Sequence, residues 1–386
     1  MHMKQKKALG IVLLILAIVF ISMILWNGCQ QNSISPTSPS TPSTTSSVTS
    51  SGTSSQQKTL AKSDSRILAA IAVQEKHTQR LMSKVNVVGT AVGLNDADEI
   101  VVKIYTAKQG VADLPTNLDG INVDIEVTGI IHAMGKPGGS GGGVSHTAKQ
   151  TPPIQLGTSG GWGLDLANGY CCGGTLGSLV QINDVQYILS NYHVFESDIV
   201  LGGNNIIAAD GNPIIQPGLI DVGCKVANAQ TIATLVVKKS LPNSNVDASI
   251  AQVVPGMVKS DGSILEIGTI SKTIVAASLK QAVKKSGRTT GLTRSSVTGL
   301  NATISVVYDN ECAGGTAFTK TFTGQIVVGN KGNKFLNSGD SGSLMVEDVT
   351  TSPRAVGLLF AGSSSAAIAN PIDQVLTFLG ATMVGQ

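Results

Sequence analysis

The sequence predicts a mainly β protein, on three observations. Short runs rich in β-branched and apolar residues recur over the last 230 or so residues, at 180–182, 232–237, 302–308 and 324–328. Gly, Asn and Asp turns separate them at short intervals, and evenly spaced short strands with turn signals argue a sandwich or a barrel. A body of about 230 residues is also normal for one all-β domain. Helical spacing is confined to residues 66–85 and to the closing stretch from Pro371, where proline stands in the first turn.

From the amino end, Lys4, Lys6 and Lys7 precede an uncharged, mostly apolar run over residues 8–26. That run is long enough to cross a bilayer and longer than the usual core of a cleaved signal peptide. The lysines place the amino terminus in the cytoplasm and the rest of the chain outside it. Residues 1–30 are therefore expected to be a signal-anchor. Cleavage or lipidation at Cys29 is the alternative, although Trp26 fits a lipoprotein site poorly. Residues 33–57 are almost entirely Ser, Thr, Pro and Gln, so a flexible linker is expected over 31–62.

Residues 63–133 read as a small, separate α+β sandwich. Ile67, Ile71, Val73 and Leu81 give the helix its apolar positions. Strand runs at 87–94 and 99–105 flank the Asn95-Asp96-Ala97-Asp98 turn, and a further strand is expected from 121 to 131. His77 is expected on a polar, solvated face. Residues 134–152 read as a glycine-rich linker without the Gly-Lys-Ser/Thr ending of a phosphate loop. Residues 153–386 form the main domain.

Composition narrows the function. A net charge of +3 and 4 % aromatic residues suggest neither a nucleic-acid patch nor stacking platforms. No cofactor or metal is expected, and no His-Glu-x-x-His motif occurs. Cys171, Cys172, Cys224 and Cys312 lie in the main domain, and two bridges or free buried thiols both fit their spacing.

The chemistry centres on Gly339-Asp340-Ser341-Gly342-Ser343. Acyl chemistry needs a nucleophile exposed at a tight turn and backbone N–H groups aimed at the oxyanion that forms. Flanking glycines supply the room and the backbone angles. Alone, the pentapeptide is a weak signal and reads more readily as a plain surface turn. Upstream, however, an apolar strand-like run delivers His193, the single histidine after residue 155, and Asp247 opens another apolar run. The order His193, Asp247, Ser341 is that of a catalytic triad carried on a double β-barrel.

These residues resemble the trypsin-like (chymotrypsin-fold) serine peptidases over residues 155–380. Cys172-Gly173-Gly174-Thr175-Leu176 resembles the strand before the family's histidine. Leu189-Ser190-Asn191-Tyr192-His193-Val194, Val246-Asp247-Ala248-Ser249-Ile250-Ala251 and Gly339 to Ser343 resemble the triad segments. Gly287-Arg288-Thr289-Thr290-Gly291 and Gly357-Leu358-Leu359-Phe360-Ala361-Gly362 are similar to a bacterial branch that carries an N-terminal α+β segment. The resemblance implies two six-stranded β-barrels and a serine endopeptidase acting on a protein or peptide. Ser341 would be the nucleophile, His193 the base and Asp247 its orienting acid. The N–H groups of Gly339 and Ser341 would form the oxyanion hole. Phe360, Ala361 and Gly362 would pair with the substrate backbone. The family's disulfide beside the histidine is absent, since Val194 follows His193, and no activation sequence precedes the barrels. Zymogen cleavage is therefore not supported, and something other than a freed amino terminus is expected to orient Asp340.

Phe335 stands where relatives that cut after Lys or Arg carry Asp, and Leu359 where glutamyl-specific relatives place a histidine. An apolar or small side chain is expected in the specificity pocket. The expected protein is thus an endopeptidase tethered outside the cytoplasm. The alternative is a catalytically weak or inactive surface protein that keeps the fold for binding or scaffolding.

Overall fold

A computed structural model describes residues 59–134, 144–167, 170–196, 208–308 and 318–386. The expected anchor and nearly all of the expected 31–62 linker lie outside the described residues. Among the described residues no helix is long and apolar enough to cross a membrane.

The described chain is mainly β, and its two large sheets each close on themselves. In the first, Thr158–Trp162 pairs with Gly174–Leu176 on one side and Pro213–Gln216 on the other. Gly174–Leu176 continues through Gly177 into Ser178–Ile182, which pairs with Val185–Ser190. Val185–Ser190 then pairs with Ser249–Val253, which leads through Gln230–Val236 back to Pro213–Gln216. The second ring runs Ala282–Gly287, Gly291–Tyr308, Phe318–Gly329, Ala366–Pro371, Ala355–Gly362 and Leu344–Glu347, and closes on Ala282–Gly287. Within each ring every strand is therefore paired on both sides. The first ring fills with Leu176, Leu179, Ile188, Leu235, Ile250 and their neighbours. The closing helix, Ile372–Leu379, turns Ile372, Val375, Leu376 and Leu379 into this same cluster and ends at Gly380 in the left-handed region.

The amino-terminal segment has the expected α-β-β-β order, and its sheet is continuous with that of the second barrel. Its helix, Ser65–Met82, starts at Asp64, whose carboxylate accepts the Arg66 N–H at 2.9 Å. Val87–Leu94 pairs with Ile100–Thr106 and also with the Gly291–Tyr308 strand, Gly93 opposite Gly299 and Thr90 opposite Thr303. The helix buries Ile67, Ala70 and Ile71 in a cluster shared with Val297, Ile326, Val328 and Phe335. Leu81 packs instead with Val87, Val102, Ile104 and Leu118, so the segment buries one apolar cluster of its own and a second against the second barrel. Gln56–Gln386 accordingly forms one compact unit.

Other details depart from expectation. The strand expected over 121–131 ends at Val127, because Gly129 adopts a positive φ of 78°. The chain then re-enters as a separate strand, Ile131–Ala133, between the second barrel's Ala355–Gly362 and Gly291–Tyr308 strands. His77 is not merely solvated, since its Nε2 lies 3.0 Å from Asp119. Within the expected 134–152 linker, His146 is buried with Nδ1 2.7 Å from the Gly157 carbonyl oxygen and Nε2 2.6 Å from Glu266. Cys171 is bonded to Cys224. Cys172 is disulfide-bonded as well.

Candidate active site

The two barrels meet at the expected site residues, and strand register explains how. Ser190 lies opposite Ser249 in an antiparallel pair. The residues leaving one strand and entering the other therefore share one end of the barrel. Asn191 breaks the strand and begins a single helical turn, Tyr192–Phe195, that carries His193. Asp247 sits two residues before its own strand, fully buried.

The His193 Nδ1 lies 2.6 Å from Asp247 Oδ2. A carboxylate oxygen accepts, so Nδ1 is the ring nitrogen placed to donate to Asp247 and Nε2 is the one turned away from it. Asp247 is held from several sides. Its Oδ1 accepts the Tyr192 N–H at 2.7 Å, and its Oδ2 accepts the Tyr308 hydroxyl at 2.8 Å. Asn191 Nδ2 donates to its carbonyl oxygen at 2.7 Å, and its own N–H donates to Asn370 Oδ1 at 2.9 Å. Burial and the neighbouring Asp247 charge push the Tyr308 phenol well above its ordinary value, so it remains a neutral donor. Its ring meets that of His193 edge-on at 5.9 Å.

Ser341 comes from the second barrel, at the turn before Leu344–Glu347. Gly339 and Gly342 on either side adopt φ of 93° and 92°. A side chain at either would be strained by that φ, and a Cβ at Gly342 would also stand 2.2 Å from Ser190 Oγ. Thr175 of the first barrel rivets this turn in place. Its N–H donates to the Ser341 carbonyl oxygen at 2.8 Å and its hydroxyl to the Gly339 carbonyl oxygen at 3.0 Å. Ser190, three residues before His193, donates to the Thr175 carbonyl oxygen at 2.8 Å. The Ser341 Oγ donates to the Phe360 carbonyl oxygen at 3.2 Å. The His193 Nε2 is buried with no hydrogen-bond partner among the described residues. A buried ring nitrogen without a partner is available to take a hydroxyl proton from a serine that rotates toward it, since such bonds are often loose before substrate binds.

Asp340 is oriented without a freed amino terminus. Its carboxylate lies 3.1 Å from Lys285 Nζ, and both side chains are fully buried. Thr289 N–H at 2.8 Å, Thr290 N–H at 3.1 Å, Thr290 Oγ1 at 2.7 Å and Asn337 N–H at 3.0 Å also donate to it. Burial pulls the Lys285 ammonium below its ordinary value, against the opposing pull of Asp340. The Gly287 to Gly291 stretch thus has a task that its sequence did not state.

Phe335 lies buried in an apolar cluster with Leu336, Leu359 and Met134. Phe360 points into the second barrel, with its ring 4.9 Å from that of Phe322. Ala361 and Gly362 pair with another strand, and the partner is the chain's own Ile131–Ala133. The Gly339 N–H, expected to point at an oxyanion, donates at 2.6 Å to the Met134 carbonyl oxygen. Sequence reading did not single out Lys285, Tyr308 or Met134. No His, Cys, Asp and Glu group able to hold a metal occurs among the described residues.

The family model of the Nal1 C-terminal domain matches residues 243–370. No curated protein matches the chain. Among solved structures, the chain is similar to a glutamic acid specific serine protease that utilizes a histidine triad in substrate binding. That match has 16 % identity and a TM-score of 0.40, and covers 60 % of this chain and all of the other. Protease A of Thermobifida fusca is similar at 16 % identity and a TM-score of 0.38, over 60 % of this chain and 99 % of its own. Cellulomonas bogoriensis chymotrypsin is similar at 18 % identity and a TM-score of 0.35, over 55 % and 91 %.

Proposed function

We propose that the chain is a serine endopeptidase of the trypsin-like fold, working through His193, Asp247 and Ser341 and an acyl-enzyme intermediate. The observation that carries this reading is the 2.6 Å contact between His193 Nδ1 and buried Asp247, set where the Ser341 turn is riveted to the same barrel. Ser341 Oγ attacks the scissile carbonyl as His193 Nε2 takes its proton. The imidazolium then protonates the leaving amine, and Asp247 holds the tautomer and stabilises that cation. The N–H groups of Gly339 and Ser341 bind the oxyanion, where loss of one donor costs about 3–4 kcal/mol of transition-state stabilisation.

The full-length protein is expected to react with a fluorophosphonate probe, and the Ser341→Ala variant is expected not to. Equal labelling of both would instead support a surface protein that keeps the fold for binding. Casein hydrolysis then measures turnover.

The proposal places the folded body outside the cytoplasm, tethered by residues 8–26. The Cys171–Cys224 bond supports an oxidising compartment. Release of the protein from membranes by high salt alone would contradict the tether.

A further inference from the structure

The Ile131–Ala133 strand lies in the groove where a peptide substrate would lie, and its register is informative. It runs antiparallel to Ala355–Gly362, with His132 opposite Gly362 and Ala133 opposite Ala361. Its other edge pairs in parallel with Val306 and Val307, so both edges are hydrogen-bonded. The next residue, Met134, donates its N–H to the Phe360 carbonyl oxygen at 3.2 Å and accepts the Gly339 N–H at 2.6 Å. Phe360 O also receives the Ser341 hydroxyl at 3.2 Å. One carbonyl thus binds the occupant's N–H and the nucleophile together. The Met134 carbonyl occupies the position that the oxyanion donor serves.

The Met134 side chain is 6 % exposed and clusters with Phe335, Leu336 and Leu359. The Ser338 hydroxyl donates to its sulfur at 3.7 Å. Gly362 makes room, because a Cβ there would stand 3.0 Å from Met134 Cε. The groups clustered with the Met134 side chain are apolar, so a charged side chain in its place would be buried among them without a partner.

We infer that residues 131–134 are bound as the enzyme's own substrate, that the bond from Met134 to Gly135 is cut within the same molecule, and that the pocket selects an unbranched apolar side chain. This rests on the endopeptidase reading above. Ser341 Oγ attacks the Met134 carbonyl carbon, and its proton passes through His193 to the nitrogen of Gly135 as the carbon–nitrogen bond breaks. Water then hydrolyses the Met134 ester, giving a carboxylate at Met134, returning the proton to Ser341 and leaving Gly135 as a free amine. The cut is not needed to order the Ser341 turn, because Lys285 already orients Asp340 without a new amino terminus.

The test uses the full-length protein in detergent, followed by intact mass, amino-terminal sequencing and fluorophosphonate labelling. Wild type is expected to yield a fragment beginning at Gly135, at a rate independent of protein concentration. Ser341→Ala is expected to stay whole. Met134→Leu, which keeps an apolar side chain, is expected to be cut within about tenfold of the wild-type rate, and Met134→Asp more than about 100-fold more slowly. In Met134→Asp the probe is expected to reach Ser341 faster than in uncut wild type, since the strand no longer seats. Labelling of Ser341 without a fragment beginning at Gly135 would overturn the inference and leave the endopeptidase reading standing. Absence of both labelling and cleavage in every form, Met134→Asp included, would overturn both. Equal cleavage in Ser341→Ala would assign the cut to another protease and also overturn the inference.

Discussion

His193→Ala is expected to lower kcat by about 10⁶-fold, because base and nucleophile act as a unit. Asp247→Asn should cost less, about 10⁴-fold, since the imidazole survives in the wrong tautomer. Tyr308→Phe should be mildest. It removes one donor to Asp247 and leaves the backbone donor and the imidazole in place. A hydrogen bond to a charged group is worth about 1.5–3 kcal/mol, so a fall of about 10- to 100-fold is the expected scale. The series is checked by kcat and KM on one peptide substrate, with circular dichroism to establish that each variant is folded. An Asp247→Asn variant as active as wild type would remove the basis for the triad.

Lys285→Met is expected to be the most damaging change outside the triad. It leaves Asp340 buried beneath the Gly339–Gly342 turn without the Lys285 cation beside it. Breaking a buried ion pair from one side costs about 3–5 kcal/mol. The strain should fall on the turn that Asp340 organises, so Gly339 and Ser341 should lose their donor geometry before the barrels unfold. Thermal melting and kcat should both fall. A double change, Lys285→Met with Asp340→Leu, should recover much of the melting temperature and none of the activity, because it restores burial without the hydrogen bonds to Thr289 and Thr290. Recovery of activity in the double variant would show that Asp340 does not set the turn.

The elements that chemistry requires were legible because each leaves a local mark. His193 follows an apolar run, Asp247 opens one, and Ser341 stands between glycines. Lys285 left a fainter mark. Val283 and Lys285 lie on one face of a strand by simple alternation, so a lysine on the apolar face signals a buried partner. Beside Lys284 it passes for a surface pair. Tyr308 could not be placed, because its role depends on how far the Gly291–Tyr308 strand extends over the first barrel, which register alone decides. The joint between the amino-terminal segment and the second barrel was not legible for a related reason. Period and turn chemistry identify strands but not their pairing partners, and the partner of Val87–Leu94 lies some 200 residues downstream.

The ladder between Val87–Leu94 and Gly291–Tyr308 changes what a cut after Met134 would accomplish. Severing that bond would not free the groove, because the amino-terminal piece stays zipped to the hairpin and shares its apolar cluster. The nicked chain would behave as a heterodimer of inhibitor and enzyme. Its activity would be set by the lifetime of a non-covalent joint, and hence by dilution, denaturant or a competing strand. With residues 8–26 in a membrane, the same joint would become the only mooring of the catalytic body, and separation would unblock the enzyme and release it from the surface in one event.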